Sequence, residues 1–232
     1  MGISPAAMKK FSSSPINAVL LLGPTGVGKS PLGDAIAQNG LFGRRCHHLD
    51  FGSELRGVVS CEDMSSAYSA KELDFIHGVL ERGLLLENEH FPLAEKLFGL
   101  FLERAGFAPH DLLILNGIPR HTGQSKDIAR IARIHALTVL DCTAEDVYRR
   151  IWNNVGGDRT ERLDDDKKLI AKKLEIFRER TEPLVDYYSQ RDCRIYRVNV
   201  SATTTTGQVY QSLSSLAAAH PPISLVAEPP QR

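Results

Sequence analysis

At 232 residues, with 42% apolar and 24% charged side chains, the chain has the make-up of one large globular domain. Lys+Arg and Asp+Glu balance at 28 each, which argues against nucleic acid as a partner, so any anion site must come from local clustering of cations. The four cysteines, Cys46, Cys61, Cys142 and Cys193, form no C-x-x-C pair, so a disulfide framework and a zinc site are not expected and reduced, cytoplasmic thiols are. No apolar run approaches the ~20 residues of a membrane helix, and the first residues lack a signal peptide's apolar core.

Residues 1–15 are Ser/Pro-rich and read as a loose lead-in. The apolar run Ala18–Leu22 suits a buried parallel strand, placed over Asn17–Leu22. Gly23-Pro24-Thr25-Gly26-Val27-Gly28-Lys29-Ser30 follows and reads G-x-x-x-x-G-K-S, the phosphate-binding loop pattern. Leu32, Ala35 and Ile36 then carry helical spacing to about Gln38. Strand before and helix after are the context in which such a loop holds a polyphosphate. Its backbone N–H groups point inward and the helix adds the positive end of its dipole. Lys29 reaches the outer phosphates in this reading, and Ser30 is offered to Mg²⁺.

Cys46–Phe51 reads as a second strand, and Gly52-Ser53 opens a short helix holding Arg56. Cys46-His47-His48 is not a metal site in this reading, because neighbours on a strand face opposite ways. Helical patterns cover Ser69–Glu81 and about Phe91–Ala105. Leu112–Leu115 is a buried strand that runs into Asn116-Gly117-Ile118-Pro119-Arg120. A short helix over Ser125–Ile134, a strand over His135–Asp141 and a helix over Ala144–Trp152 follow. Residues 153–160 form a polar glycine loop, and Lys167–Gln190 a long helix with a break expected at Pro183. Arg194–Val198 is the fifth strand and Gly207–Ala219 the last helix. From Pro221 onward no packing signal remains, and 220–232 is assigned as a Pro-rich tail.

Strands alternating with helices predict an α/β fold, a five-stranded parallel sheet with helices on both faces. Ligands of such sheets lie at the carboxyl ends of the strands. Arg56 and Arg120 fall just beyond strand ends, and Arg150, Arg159 and Arg162 lie in or beside the glycine loop. Arginine's rigid fork suits phosphate. Cations on a hinged flap suit phosphoryl transfer, which needs positioning, charge neutralisation and exclusion of water more than a covalent nucleophile.

Six stretches carry a resemblance: GPTGVGKSPLGD at 23–34, HLDFGSELR at 48–56, RGLLLENE at 82–89, LILNGIPRHTGQ at 113–124, LDCTAEDVYRRI at 140–151 and the long R-L-D-D-D segment from 162 to 188. In this order and spacing they resemble the adenylate kinase and nucleoside monophosphate kinase family, from about residue 16 to 217. The resemblance implies a P-loop kinase fold in one domain over 16–219. Residues 52–86 would be a mobile monophosphate-binding segment and 153–161 a short lid without zinc. It implies ATP and a nucleoside monophosphate as substrates, AMP foremost, with Mg²⁺, in a monomer. Gly23, Thr25, Gly26, Val27, Gly28, Lys29, Ser30 and Arg150 would hold ATP. Gly52, Arg56, the backbone of Leu84, Leu85 and Leu86, Gly117, Arg120, Gln124, Arg162 and Lys173 would hold the monophosphate, with Gln124 reading the adenine edge. Lys29, Arg120, Arg150, Arg162 and Lys173 would carry the transfer.

The chain departs from the family's pattern at several places. The family's D-G-F-P-R reads Asn116-Gly117-Ile118-Pro119-Arg120, so the carboxylate that orders water around Mg²⁺ is an amide here; Ser30, Asn116 and Asp141 are the candidate metal-side groups, the last two through water. Pro31 replaces a loop threonine, Phe51 stands near the base site, Asn154 stands where a lid arginine is expected, and Lys173 replaces an arginine. A nucleotide-binding module with weak or lost transfer, a UMP/CMP-type kinase and a kinase of another small metabolite are the alternatives.

Overall fold

The computed structural model describes residues 15–157 and 167–226. Arg159, Arg162 and residues 158–161 of the expected lid lie outside the described residues, as do nearly all of the lead-in and the end of the tail.

Five strands form one sheet: β1 (Ile16–Leu22), β2 (Cys46–Asp50), β3 (Leu112–Asn116), β4 (Ala132–Asp141) and β5 (Arg194–Asn199). Their order is β2-β3-β1-β4-β5 and every pair is parallel. The side-chain period of two divides each strand between two cores. Ala18, Leu20, Leu22, Leu113 and Leu115 enter one, Val19, Leu21, Leu112 and Ile114 the other. Helices cover both faces, so the strands are apolar almost throughout. The α/β fold read from the sequence is the fold observed.

Helix α1 (Lys29–Asn39) follows the phosphate loop and buries Leu32, Gly33 and Ile36 against the second core. Gly28, at its N-cap, has φ 105°, a left-handed conformation that costs glycine little. Helix α2 (Phe51–Ser60) starts directly on the end of β2, capped by Asp50, whose side chain accepts from the Ser53 N–H. A single turn, α3 (Glu62–Ser65), leads to α4 (Ala70–Arg82), which has a capping box between Ser69 and Glu72. Helix α5 (Phe91–Arg104) buries Phe91, Leu97, Phe98 and Leu102 in the first core.

The structure departs from the periodicity in three places. Helix α6 runs over Thr122–Ile128 and stops before the expected Ile134. Strand β4 claims Ala132–Ile134 instead, because these residues pair with Ile16–Ala18 of β1, and a central sheet position overrides local helical preference. After α7 (Ala144–Trp152), the long helix is divided. It runs as α8 (Lys167–Ile176), a π-turn over Phe177–Thr181, and α9 (Leu184–Ser189), so regular winding ends ahead of Pro183. Finally, after α10 (Thr206–Ala219), the start of the tail packs. Within the turn α11 (Ile223–Val226), Leu225 is buried in the second core and its carbonyl accepts from Arg44 at 3.2 Å.

Candidate active site

One cavity opens at the carboxyl ends of β1, β2 and β3. At one end it is lined by Thr25, Gly26, Gly28, Lys29 and Ser30 of the phosphate loop. Gly23 and Val27 are buried behind them. The Lys29 ammonium donates to the carbonyls of Gly23 and Pro24 at 2.7 Å each, folded onto its own loop. At the other end the wall is built by Gly52 and Arg56 of α2 and by Leu84, Leu85 and Leu86 after α4. Gly117, Arg120, Gln124 and Lys173 complete it. Residues as far apart in the chain as Thr25 and Lys173 thus meet around one space.

Strand register explains the floor. Asp50 and Asn116 end adjacent parallel strands at paired positions, so both side chains rise on the face that α1 covers. The Asn116 amide donates to Asp50 Oδ2 at 2.9 Å and to Ser30 Oγ at 3.2 Å, and the Ser30 hydroxyl donates to the same carboxylate oxygen. Burial alone would raise the Asp50 carboxyl, but the bonds from Ser30 and the Ser53 amide outweigh it. With Coulombic help from His48 and Arg56 they hold it below the ordinary carboxylate range. Arg120 feels the opposite balance: burial pushes its guanidinium down and the Asp50 charge opposes that shift.

Gln124 is buried, and both ends of its amide bond within the wall. Its Nε2 donates to the Leu86 carbonyl at 2.8 Å and its Oε1 accepts from the Arg120 N–H at 2.7 Å. It ties the leucine segment to the turn that carries Arg120, with a cis peptide between Ile118 and Pro119. Thr181, in the π-turn, adds a bond from Oγ1 to the Arg120 carbonyl at 2.8 Å. Phe51 is buried at the cavity edge.

Two expected site residues stand apart from this cavity. Arg150 is buried outside its lining, donating through Nη1 to the carbonyls of Ser201 and Thr204 at 2.8 Å each, with Nη2 near Gly28. It braces the back of the phosphate loop. Asp141 is engaged by Arg197 Nη1 at 2.9 and 3.0 Å and lines a separate hollow with Pro24 and Cys142. The structure brings Ser30 and Asn116 together and leaves Asp141 out. The carboxylate beside them is Asp50, which the sequence offers only within the stretch HLDFGSELR at 48–56. Its signal was available, a carboxylate at the last position of a parallel strand.

Ser30 Oγ and the Asp50 carboxylate are hard oxygen donors of the kind Mg²⁺ takes. Among the described residues no three His, Cys, Asp or Glu side chains are grouped to hold a metal ion by themselves. The donor set therefore fits a cation that takes its remaining oxygens from phosphates and water, as nucleotide-bound Mg²⁺ does.

The sheet and phosphate loop define a P-loop kinase fold. A gluconokinase from Sinorhizobium meliloti superposes with a TM-score of 0.53 at 15% identity, covering 91% of this chain and 98% of that one. No protein-family model matches the chain. Curated relatives narrow the class. Adenylate kinase of Thermus thermophilus is 28% identical over 75% of this chain and 84% of its own length. Adenylate kinase isoenzyme 1 of Rattus norvegicus is 29% identical over 85% and 94%. Probable UMP-CMP kinase 1 of Arabidopsis thaliana is 26% identical over 73% and 74%. These relatives support the nucleoside monophosphate kinase family, as the motifs imply.

Proposed function

We propose that the chain is a nucleotide kinase that transfers the γ-phosphoryl group of ATP to a nucleoside monophosphate, with AMP the first candidate, giving two diphosphates. The observation that carries this reading is the convergence of the phosphate loop with Arg56, Arg120 and Lys173 on one cavity. A loop that cradles one polyphosphate faces a set of cations suited to a second phosphate. That is the arrangement in-line transfer between two phosphorylated substrates requires.

In this reading Lys29 leaves the two carbonyls it holds and follows the outer phosphates. The backbone N–H groups of Gly26 and Gly28 and the start of α1 bind the polyphosphate. Arg56 and Arg120 grip the acceptor's phosphate, and charge developing on the transferring group is shared between Lys29, Arg120 and Lys173. Arg150 holds the ATP side by bracing the loop. Arg162 stands in the same proposal as a cation closing over both nucleotides. Ser30 would hold Mg²⁺ together with ATP, and the ion would supply charge neutralisation.

AMP is supported by the position of Gln124 and by the adenylate kinases among the relatives. A second reading, a pyrimidine monophosphate as acceptor, is favoured by the Gln124 amide's two bonds within the protein and by the bulk of Phe51 at the cavity edge. The test is coupled diphosphate production with ATP and Mg²⁺ against AMP, dAMP, GMP, CMP and UMP, beside Lys29→Ala. Turnover with AMP that Lys29→Ala abolishes is the expected result. Preference for CMP or UMP replaces AMP and keeps the mechanism. Saturable ATP binding with no turnover on any acceptor sinks the kinase reading and leaves a binding module.

A further inference from the structure

The loop serine of a P-loop kinase works with a carboxylate at the end of a neighbouring strand, which accepts hydrogen bonds from the water around the nucleotide's cation. Asn116 ends β3 without that charge. An amide whose Nδ2 points at two oxygens is a donor there, and water held by a cation needs an acceptor. The acceptor on the page is one strand away. Asp50 Oδ2 receives both the Ser30 hydroxyl and the Asn116 amide, and all three side chains line the same cavity as Lys29.

We infer that Asp50 takes over the carboxylate role missing at position 116. The acceptor for cation-bound water has moved from β3 to β2, and Asn116 has become the clamp that holds it. This rests on the nucleotide kinase reading above. Two further observations fit the relocation. Asp50 Oδ1 accepts from the Ser53 N–H at 2.9 Å, which orients the carboxylate. Asp141, the other candidate, is held by Arg197 in a different hollow. The same carboxylate lies in the field of Arg56 and Arg120. Asp50 is thus bonded to the phosphate-loop serine and lies in the field of the acceptor-side arginines.

The test reads metal binding rather than turnover. Mn²⁺ is titrated by electron paramagnetic resonance into the full chain saturated with an imido-bridged ATP analogue. Wild type, Asp50→Asn, Asp50→Ser, Asp141→Asn and the double variant Asp50→Asn/Asn116→Asp are compared. Asn and Ser both cap helices well, so α2 keeps its start in each single variant, and circular dichroism melting confirms it. The expected result is Mn²⁺ affinity lowered about 10- to 100-fold in Asp50→Asn and Asp50→Ser, the range for losing a group that orders a metal's surroundings. Metal-free analogue binding and the Asp141→Asn affinity stay at wild-type values, and Asn116→Asp restores affinity to the double variant. Wild-type Mn²⁺ affinity in both Asp50 variants overturns the inference while the kinase reading stands. A loss in Asp141→Asn instead does the same. Failure of the wild type to bind the analogue with Mn²⁺ overturns the kinase reading and this inference with it.

Discussion

Arg180 grips Glu87 through two parallel bonds of 2.7 and 2.9 Å, joining the π-turn of the long helix to the segment that follows Leu84–Leu86. The π-turn brings one extra residue into the winding, and it also places Thr181 on the Arg120 carbonyl. Two walls of the cavity are therefore tied to one irregular turn.

Glu87→Gln is expected to raise KM for the monophosphate several-fold with kcat little changed, because the pair aligns the wall and touches no reacting atom. Both side chains are well exposed, so the stability cost is small, about 0–1 kcal/mol. The Arg180 bond is the first cause that holds the Glu87 carboxyl below its usual value, against weaker burial. A lowered folded-state value means the contribution is complete above the ordinary Glu value near ~4.3 and is lost as pH falls through the depressed one. A urea midpoint series from pH 7 down to about 3 should show the Glu87→Gln difference disappearing at the acid end. A difference that persists there contradicts the assignment.

Gly33→Ala tests the packing beneath the site. The His48 ring lies against the bare Cα of Gly33, leaving no space for a methyl group, while its Nδ1 meets Asp34 at 2.8 Å. The substitution is expected to cost about 1–3 kcal/mol by overpacking. His48→Ala in the same chain should recover part of that loss, measured by a double-mutant cycle in urea. Additive losses would mean that the two residues do not share the space.

Gln124→Leu removes a buried amide that satisfies the Leu86 carbonyl and the Arg120 N–H. Both backbone groups are left without that partner, and a loss of about 1–3 kcal/mol follows. Because the amide fixes the wall for any acceptor, KM should rise for AMP and CMP alike. A loss confined to AMP would show that Gln124 reads the base directly.

The cysteines differ in reactivity through burial. Burial pushes the Cys46 thiol up to about 12 and Cys193 to about 11, and it raises Cys142 as well. Cys61 is exposed at the end of α2. The thiolate is the reactive form. At pH 8, Ellman's reagent should therefore modify Cys61 fast, the partly buried Cys142 and Cys193 more slowly, and Cys46 only as the protein unfolds. Loss of the fast phase in Cys61→Ser checks the assignment by stopped-flow absorbance.

Much of this molecule is local and stands plainly in its sequence. The phosphate loop is eight consecutive residues, and its strand and helix flank it directly. The alternation of apolar runs with helical spacing yields a parallel sheet, and strand ends mark where Arg56 and Arg120 gather. What only the tertiary structure decided is pairing at long range. Asp50 and Asn116 lie 66 positions apart, and they meet because β2 and β3 are neighbours in register. The residue type at 116 shows that a carboxylate is missing; strand order shows where another stands. Gln124 is likewise a base-reading candidate by position, but its bonds to residues on two other segments use the amide within the wall. The end of α6 and the π-turn were hidden for the same reason. Sheet pairing and side-chain bonds to distant backbone outweigh the small local preferences that periodicity records.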